Sequence, residues 1–465
     1  MSRETLHSRL ASFGQQHVLR FWDELDGDQQ QRLTSQLGDL DLELLSELIA
    51  GKEAEIDYTA MAAEATTPPS VGADGSGVDW SIAAARERGE EALRAGEIGA
   101  ILVAGGQGTR LGFDRPKGLF PIGPVSGRTL FQFFADRLRA VGEKYGVAVP
   151  LYVMTSDATD AETRAYFESN DHLGLDPADV RIFRQGTMPA VDAATGKLLL
   201  AAKDSLALSP DGHGGTVSAL DRNGCLQDAA RRGIKHLSYI QVDNPLAALC
   251  DPELIGHHLL SGSEMTSHVI RKRYPTEKVG NVVSVDSRVQ IIEYSDLPDE
   301  LAEARLPDGS LRFWAGSIAV HVFDLAFLTR AAQSSESLPF HRALKKVQHL
   351  DETGQLLQPA TPNAIKFERF IFDLLPSARN AIVVEALPAE AFAPVKNADG
   401  AEADTPALAR AAISDLHRGW LKAAGAVVDS GVLVEINPRY SLTPGDLDGK
   451  ISAKLRIESN QYFDS

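Results

Sequence analysis

At 465 residues, 43% hydrophobic and 24% charged, the chain has the length for two or three domains and the balance of an ordinary globular protein. Its net charge of −18 excludes general nucleic-acid binding, which needs a basic footprint, so any pocket for anions has to be local. Cys225 and Cys250 are too few for a disulfide framework or a cysteine metal cluster and read as small core residues.

The N-terminus lacks an apolar signal region and no apolar run approaches membrane-span length, which predicts a cytoplasmic protein without a membrane partner. Residues 4–50 read as helical, with one apolar stripe through Leu6, Leu10, Phe13, Val18, Phe21 and Leu25 and a second through Leu33, Leu37, Leu40, Leu44 and Leu48. Over 58–79 the composition shifts to Ala, Thr, Pro, Gly and Ser, which predicts a linker or an extended arm. A charged helix over 82–95 follows, then a short buried strand over 100–104. Further on, strands at 151–155, 237–242, 266–270, 282–285, 290–294 and 313–320 are interleaved with helices at 130–141 and 162–168. That alternation favours a mostly parallel α/β sheet with its ligand at the carboxyl ends of the strands. From about 401 the pattern gives one helix ending near Ala424 and short strands such as 432–436. The expected domains are 1–97 (helical, with linker), 98–400 (core) and 401–465 (small and C-terminal).

The most informative stretch runs from Val103 through Gly105, Gly106, Gln107, Gly108, Thr109 and Arg110 to Gly112, followed by Pro116-Lys117-Gly118. Glycines at the end of a strand let the backbone approach a ligand and turn its N–H groups inward. Arg110 and Lys117 add the fixed positive charge a triphosphate requires. A P-loop would close on Gly-Lys-Ser/Thr, which is absent, and in a dinucleotide fingerprint the third glycine would come one residue earlier. The motif therefore predicts a nucleotide site of another kind.

Further clusters carry weaker signals alone. Asp243, at the end of a buried strand before Asn244-Pro245, is placed to hold a divalent cation. Gly212, Gly214 and Gly215 around His213 form a loop that can press against a flat or anionic ligand. Gln185 has the donor–acceptor pair that reads a uracil edge. Gly280, Glu293 and Ser317 lie in segments able to line a sugar pocket, and Lys396 stands in a polar turn.

Taken in order, these motifs resemble the nucleotide-sugar pyrophosphorylases, in their eukaryotic-type UDP-sugar branch and above all its N-acetylglucosamine members. Gln16 to Trp22, Leu130-Phe131-Gln132, Met154-Thr155-Ser156, Glu368 to Asp373 and Lys396 to Asp399 match that family in their positions. The resemblance implies a Rossmann-like, GT-A-like nucleotidyltransferase core with a mixed sheet, an N-terminal helical arm and a small C-terminal α+β domain. It also implies transfer of UMP from UTP to a sugar 1-phosphate, with Mg2+ as cofactor. Carried over by residue, Gly105, Gly106, Gln185 and Gly212 would hold uracil. Arg110 and Lys117 would bind the triphosphate, Asp243 the Mg2+, and Lys396 the sugar phosphate or α-phosphate. His213, Gly280, Glu293 and Ser317 would face the sugar.

His213 stands where the N-acetylglucosamine members usually have Asn, and Ser317 where they supply a second Asn. Both departures point toward the alternative of glucose or broad UDP-sugar use, and a non-catalytic nucleotide-sugar sensor is the remote alternative. The C-terminal segment is short for the family, which favours a monomer.

Overall fold

The computed structural model describes residues 2–51, 57–334, 338–452 and 454–464. They form two units, one made of Met1–Asp57, Gly186–Gly215 and Leu338–Ile371, the other of Tyr58–Gln185, Thr216–Ser337 and Phe372–Ser465. Both are discontinuous in sequence, an organisation that the boundaries at 97 and 400 do not contain.

In the first unit the expected helical stretch is three helices, Arg3–Ala11, Gly27–Gly38 and Leu42–Ala50. The breaks are written in side chains that take over backbone N–H groups. Asp26 accepts from the Gln29 N–H while Gln29 returns the bond to the Asp26 N–H, and Asp41 accepts from Leu44. Leu6, Leu10, Leu33, Leu37, Leu45 and Leu48 are buried with Val191, Leu198 and Phe367. Phe367 belongs to a three-stranded sheet in which Ala364–Glu368 lies between His341–Lys345 and Val191–Asp192. Buried Gln15 stitches the helices to the chain beyond 186, accepting from Leu198 N and donating to Gly196 O.

The second unit is built on a ten-stranded sheet in the order Ser70–Val71, Ala381–Ala386, Met265–Arg271, Ala315–Asp324, His236–Gln241, Ile98–Val103, Leu151–Thr155 and Val180–Arg184. A hairpin of Gly280–Val285 and Arg288–Ile292 joins it along Ala315–Asp324. The α/β class agrees with the sequence. The sheet is mixed, as the family resemblance implies and unlike the mostly parallel sheet that the alternation of elements alone favours, because Ala315–Asp324 runs antiparallel between two neighbours. The expected linker over 58–79 also does more: Tyr58–Glu64 is helical, and Ser70–Val71 pairs in parallel with Val383 and Val384.

Ile98–Val103 and Leu151–Thr155 read as nearly unbroken apolar runs because both faces of the sheet are covered. One cover is the pair of helices Ile82–Arg94 and Pro252–Ser261, which cross on two glycines. A Cβ on Gly89 would lie 1.8 Å from Pro252 O, and one on Gly256 would lie 1.6 Å from Ala85 O. Among the described residues no helix is long and apolar enough to cross a membrane.

The C-terminal helix Pro406–Ala423 is capped by Thr405 and covers the short parallel pair Val434–Ile436 and Gln461–Phe463. Its His417 is buried, and Nδ1 accepts from Ile436 N at 3.1 Å. Burial pushes that imidazole down to about 4 from its ordinary 6.5. Below pH 6.5 the unfolded chain takes up the proton and the folded one does not, so the stabilisation is complete above pH 6.5 and is lost as pH falls toward 4. It is worth on the order of 3 kcal/mol. His417→Gln, which keeps an acceptor, should therefore flatten the loss of stability between pH 6.5 and 4 in urea titrations. An unchanged slope would show that His417 does not carry it.

Candidate active site

The glycine motif leaves the sheet at the end of Ile98–Val103 and folds back on itself. Gly108 N donates to Arg115 O, and Lys117 N to Gly106 O at 3.0 Å, so Lys117 returns to the foot of the loop. Ser156 Oγ donates to Gly105 O at 2.7 Å, and Gln185 N to Thr155 O at 2.9 Å. A Cβ on Gly105 would stand 2.7 Å from Gln185 Oε1, so the glycine is what lets the Gln185 amide lie against the loop. Gly106 is exposed, and a Cβ there would meet nothing within 4 Å. Arg110 lies exposed in the turn Thr109–Leu111, with no carboxylate among the described residues paired to it. Gly105, Gly106, Gln185, Arg110 and Lys117 thus belong to one loop system.

Asp243 follows the next strand. His236–Gln241 lies in parallel register with Ile98–Val103, Gln241 opposite Val103, so both chains leave the sheet at the same edge. Lys117 Nζ stands 3.7 Å from Asp243 Oδ2, and each side chain is about one-sixth exposed. The pair is close enough to attract and too long for a short hydrogen bond. A Mg2+ ion fits this donor set, since the carboxylate is partly open and Mg2+ takes one or two carboxylates, completing its shell with water and phosphate oxygens.

Lys396 is brought here by main-chain bonds. Val395 N donates to Asp243 O at 2.8 Å. Buried Asn244 accepts from Ala393 N and donates to Ala391 O, clamping the strand of chain that leads to Lys396. Lys396 N and Asn397 N both donate to Asp404 O. Asp404 holds a left-handed φ of 58°, and its half-buried carboxyl is raised by burial, against lowering by Lys396 and Arg273 and with raising by Asp243 and Glu277. Arg273 in turn is fastened to buried Glu277, which accepts from both its backbone N and its Nε at 2.7 Å. Asp404, Arg273 and Glu277 were not singled out from sequence. A basic Lys272-Arg273 pair just past a strand end was the available signal.

Three of the four residues expected around a sugar, Gly280, Glu293 and Ser317, lie together in the second unit. Gly280 sits directly opposite Ser317 in the ladder, and a Cβ on Gly280 would lie 3.0 Å from Glu293 Oε1. A register shift at His268/Val269 and the positive φ of Ala319 distort the strand just beyond Ser317. Behind them lies a residue that sequence reading missed: buried Lys272 donates to Asn281 Oδ1 at 2.6 Å and to Pro275 O at 2.8 Å. Burial pushes its ammonium down to about 8.

Gly212 and His213 belong to the first unit. There the first part of the Glu368–Asp373 motif shows its use: Arg369 N donates to Asp211 O and Gly214 N to Arg369 O. Gly212 has φ 84°, and a Cβ would lie 2.3 Å from Arg369 O. The His213 ring stacks on Phe370 with centroids 5.4 Å apart, and its Nδ1 accepts from Ile371 N at 3.2 Å.

Residues 80–414 match the family model described as UTP–glucose-1-phosphate uridylyltransferase. The chain is 38% identical over 439 residues to human UDP-N-acetylhexosamine pyrophosphorylase-like protein 1, covering 91% of this chain and 86% of that one. It is 40% identical over 360 residues to UDP-N-acetylglucosamine pyrophosphorylase of Saccharomyces cerevisiae, covering 76% of each. Among solved structures, the uridine diphosphate N-acetylglucosamine pyrophosphorylase of Trypanosoma brucei superposes with a TM-score of 0.82 at 25% identity, over 100% of this chain and 99% of that one.

Asn244→Ala should leave Ala393 N and Ala391 O without their partner and lower stability by about 1–3 kcal/mol in denaturant titration. A variant as stable as the parent would mean that water replaces the amide and that the clamp is dispensable.

Proposed function

Because the chain belongs to the UTP–glucose-1-phosphate uridylyltransferase family it is a nucleotidyltransferase, and we propose that it transfers UMP from UTP to N-acetylglucosamine 1-phosphate, giving UDP-N-acetylglucosamine and pyrophosphate. The observation that supports this most is the convergence of Lys117, Asp243 and Lys396 at one edge of the sheet, beside a glycine loop that holds Gln185. The names of the relatives favour the N-acetylated sugar over the glucose alternative that His213 and Ser317 suggest.

The acceptor, a sugar-phosphate oxygen, is already ionised near neutral pH, so no general base is required. The obstacles are repulsion between two polyanions and charge growing on the departing pyrophosphate. Lys117 and Arg110 offset charge on the triphosphate, and Lys396 draws the acceptor phosphate toward the α-phosphorus for in-line attack. Gln185 and the exposed amides of the glycine loop orient the base, while Gly280, Glu293 and Ser317 meet the sugar. Asp243 would hold Mg2+, which when bound neutralises phosphate charge. With this reaction go a cytoplasmic location and a monomer, both expectations from sequence.

Pyrophosphate release from UTP and Mg2+ should be fastest with N-acetylglucosamine 1-phosphate among the 1-phosphates of N-acetylglucosamine, N-acetylgalactosamine, glucose and galactose. Faster turnover of glucose 1-phosphate would assign the sugar otherwise. Lys117→Ala should lower turnover at least about a hundredfold with little change in melting temperature; a folded variant of near-normal activity removes Lys117 from the mechanism. Chelation should abolish turnover and added Mg2+ restore it, whereas turnover that survives chelation would dismiss the metal.

A further inference from the structure

At the end of His236–Gln241 remote from Asp243, three side chains turn donor atoms toward one point. His236 and Asp324 are directly opposed across an antiparallel pair, and His258 comes from the helix Pro252–Ser261. His236 Nδ1 lies 2.7 Å from Asp324 Oδ1, His258 Nε2 lies 3.1 Å from the same oxygen, and the two ring nitrogens are 3.3 Å apart. His258 is 1% exposed, while Asp324 is 31% exposed, so the cluster is closed toward the protein and open toward solvent.

Without an ion, both imidazoles donate to one carboxylate oxygen. That arrangement aims two N–H groups at one atom from 3.3 Å apart, and no Arg or Lys among the described residues pairs with Asp324. A single dication would satisfy all three groups.

We propose that His236, His258 and Asp324 form a transition-metal site of the zinc type, completed by water on its open side. Zinc–nitrogen and zinc–oxygen bonds are about 2.0–2.1 Å. Three donors at these separations share a point about 2.1 Å from each, roughly 1 Å off their plane, which is where a tetrahedral ion sits. Edges of a regular tetrahedron at that bond length are about 3.4 Å, so mainly the His236–Asp324 edge has to open. Two imidazoles and one carboxylate suit zinc, whereas Mg2+ and Ca2+ favour oxygen alone. His258 Nδ1 lies 3.0 Å from buried Thr266 Oγ1; with a metal on Nε2 the proton sits on Nδ1, which donates there and holds the ring in place. About 20 Å of strand separate this cluster from Asp243, so it is a second site. An ion there ties two strands of the sheet to the helix that covers them.

The test uses the full chain, stripped with a chelator and dialysed. Calorimetric titration with Zn2+ alone should show one equivalent bound with Kd below about 1 μM, and Co2+ should give the intense visible bands of a tetrahedral ion. Asp243→Asn should keep that equivalent. Asp324→Asn and the partly exposed His236→Gln should weaken it at least about a hundredfold, and Thr266→Val about tenfold. Zn2+ should raise the melting temperature of the parent and not of His236→Gln. The proposal is overturned if the parent takes up no Zn2+, or if uptake is the same in Asp324→Asn and His236→Gln, which would leave a hydrogen-bonded triad.

Discussion

The candidate active site depends on the parallel register of Ile98–Val103 with His236–Gln241. Six residues pair without a break, and Val242 N extends the ladder to Val103 O. Two chains therefore leave the sheet side by side, one as the glycine loop that returns Lys117, the other as the turn bearing Asp243. Side chains alternate between faces with period 2, so a slip of one residue would turn every side chain of the strand to the opposite face. The register sets the 3.7 Å separation of Lys117 and Asp243.

A second layer of constraint comes from buried polar groups that fasten loops. Asn244 holds the 391–395 segment, and Glu435 holds the 123–126 turn by accepting from Val125 N, Ser126 N and Ser126 Oγ. Such contacts contribute little net energy each, yet removing one partner exposes the full desolvation penalty of the other. The Asn244 clamp thereby holds the segment that leads to Lys396, a local cation in a protein whose overall charge is −18.

Much of this was legible in sequence where the chemistry is local. The glycine loop, Lys117 and Asp243 announce themselves by strand, turn and charge within a few residues. Gly280 and Ser317, far apart in sequence, are joined by one ladder, with Glu293 just past the end of the hairpin strand that pairs with Gly280–Val285. What could not be read depends on contacts far apart in the chain. Asp404 matters because Lys396 folds back on its carbonyl, and Asn244 because residues almost 150 positions away need an amide. Ser70–Val71 looked like linker because two residues carry no periodicity; only pairing with 383–384 makes them a strand. The helical stretch expected over 4–50 is helical in three pieces, the later two started by the caps Asp26 and Asp41.

The two ends of the main strand order have a consequence of their own. A sheet's outermost strand offers unpaired N–H and C=O groups as a template for another chain, and long flat apolar edges invite aggregation. One end here is Ser70–Val71, only two residues long. The other is Val180–Arg184, which carries Arg181 and Arg184, each beside a carboxylate, Asp228 and Asp157. A sheet of ten strands is thus terminated at both ends by features that resist extension, one by brevity and one by charge. Those two ends therefore make poor templates for strands of other copies.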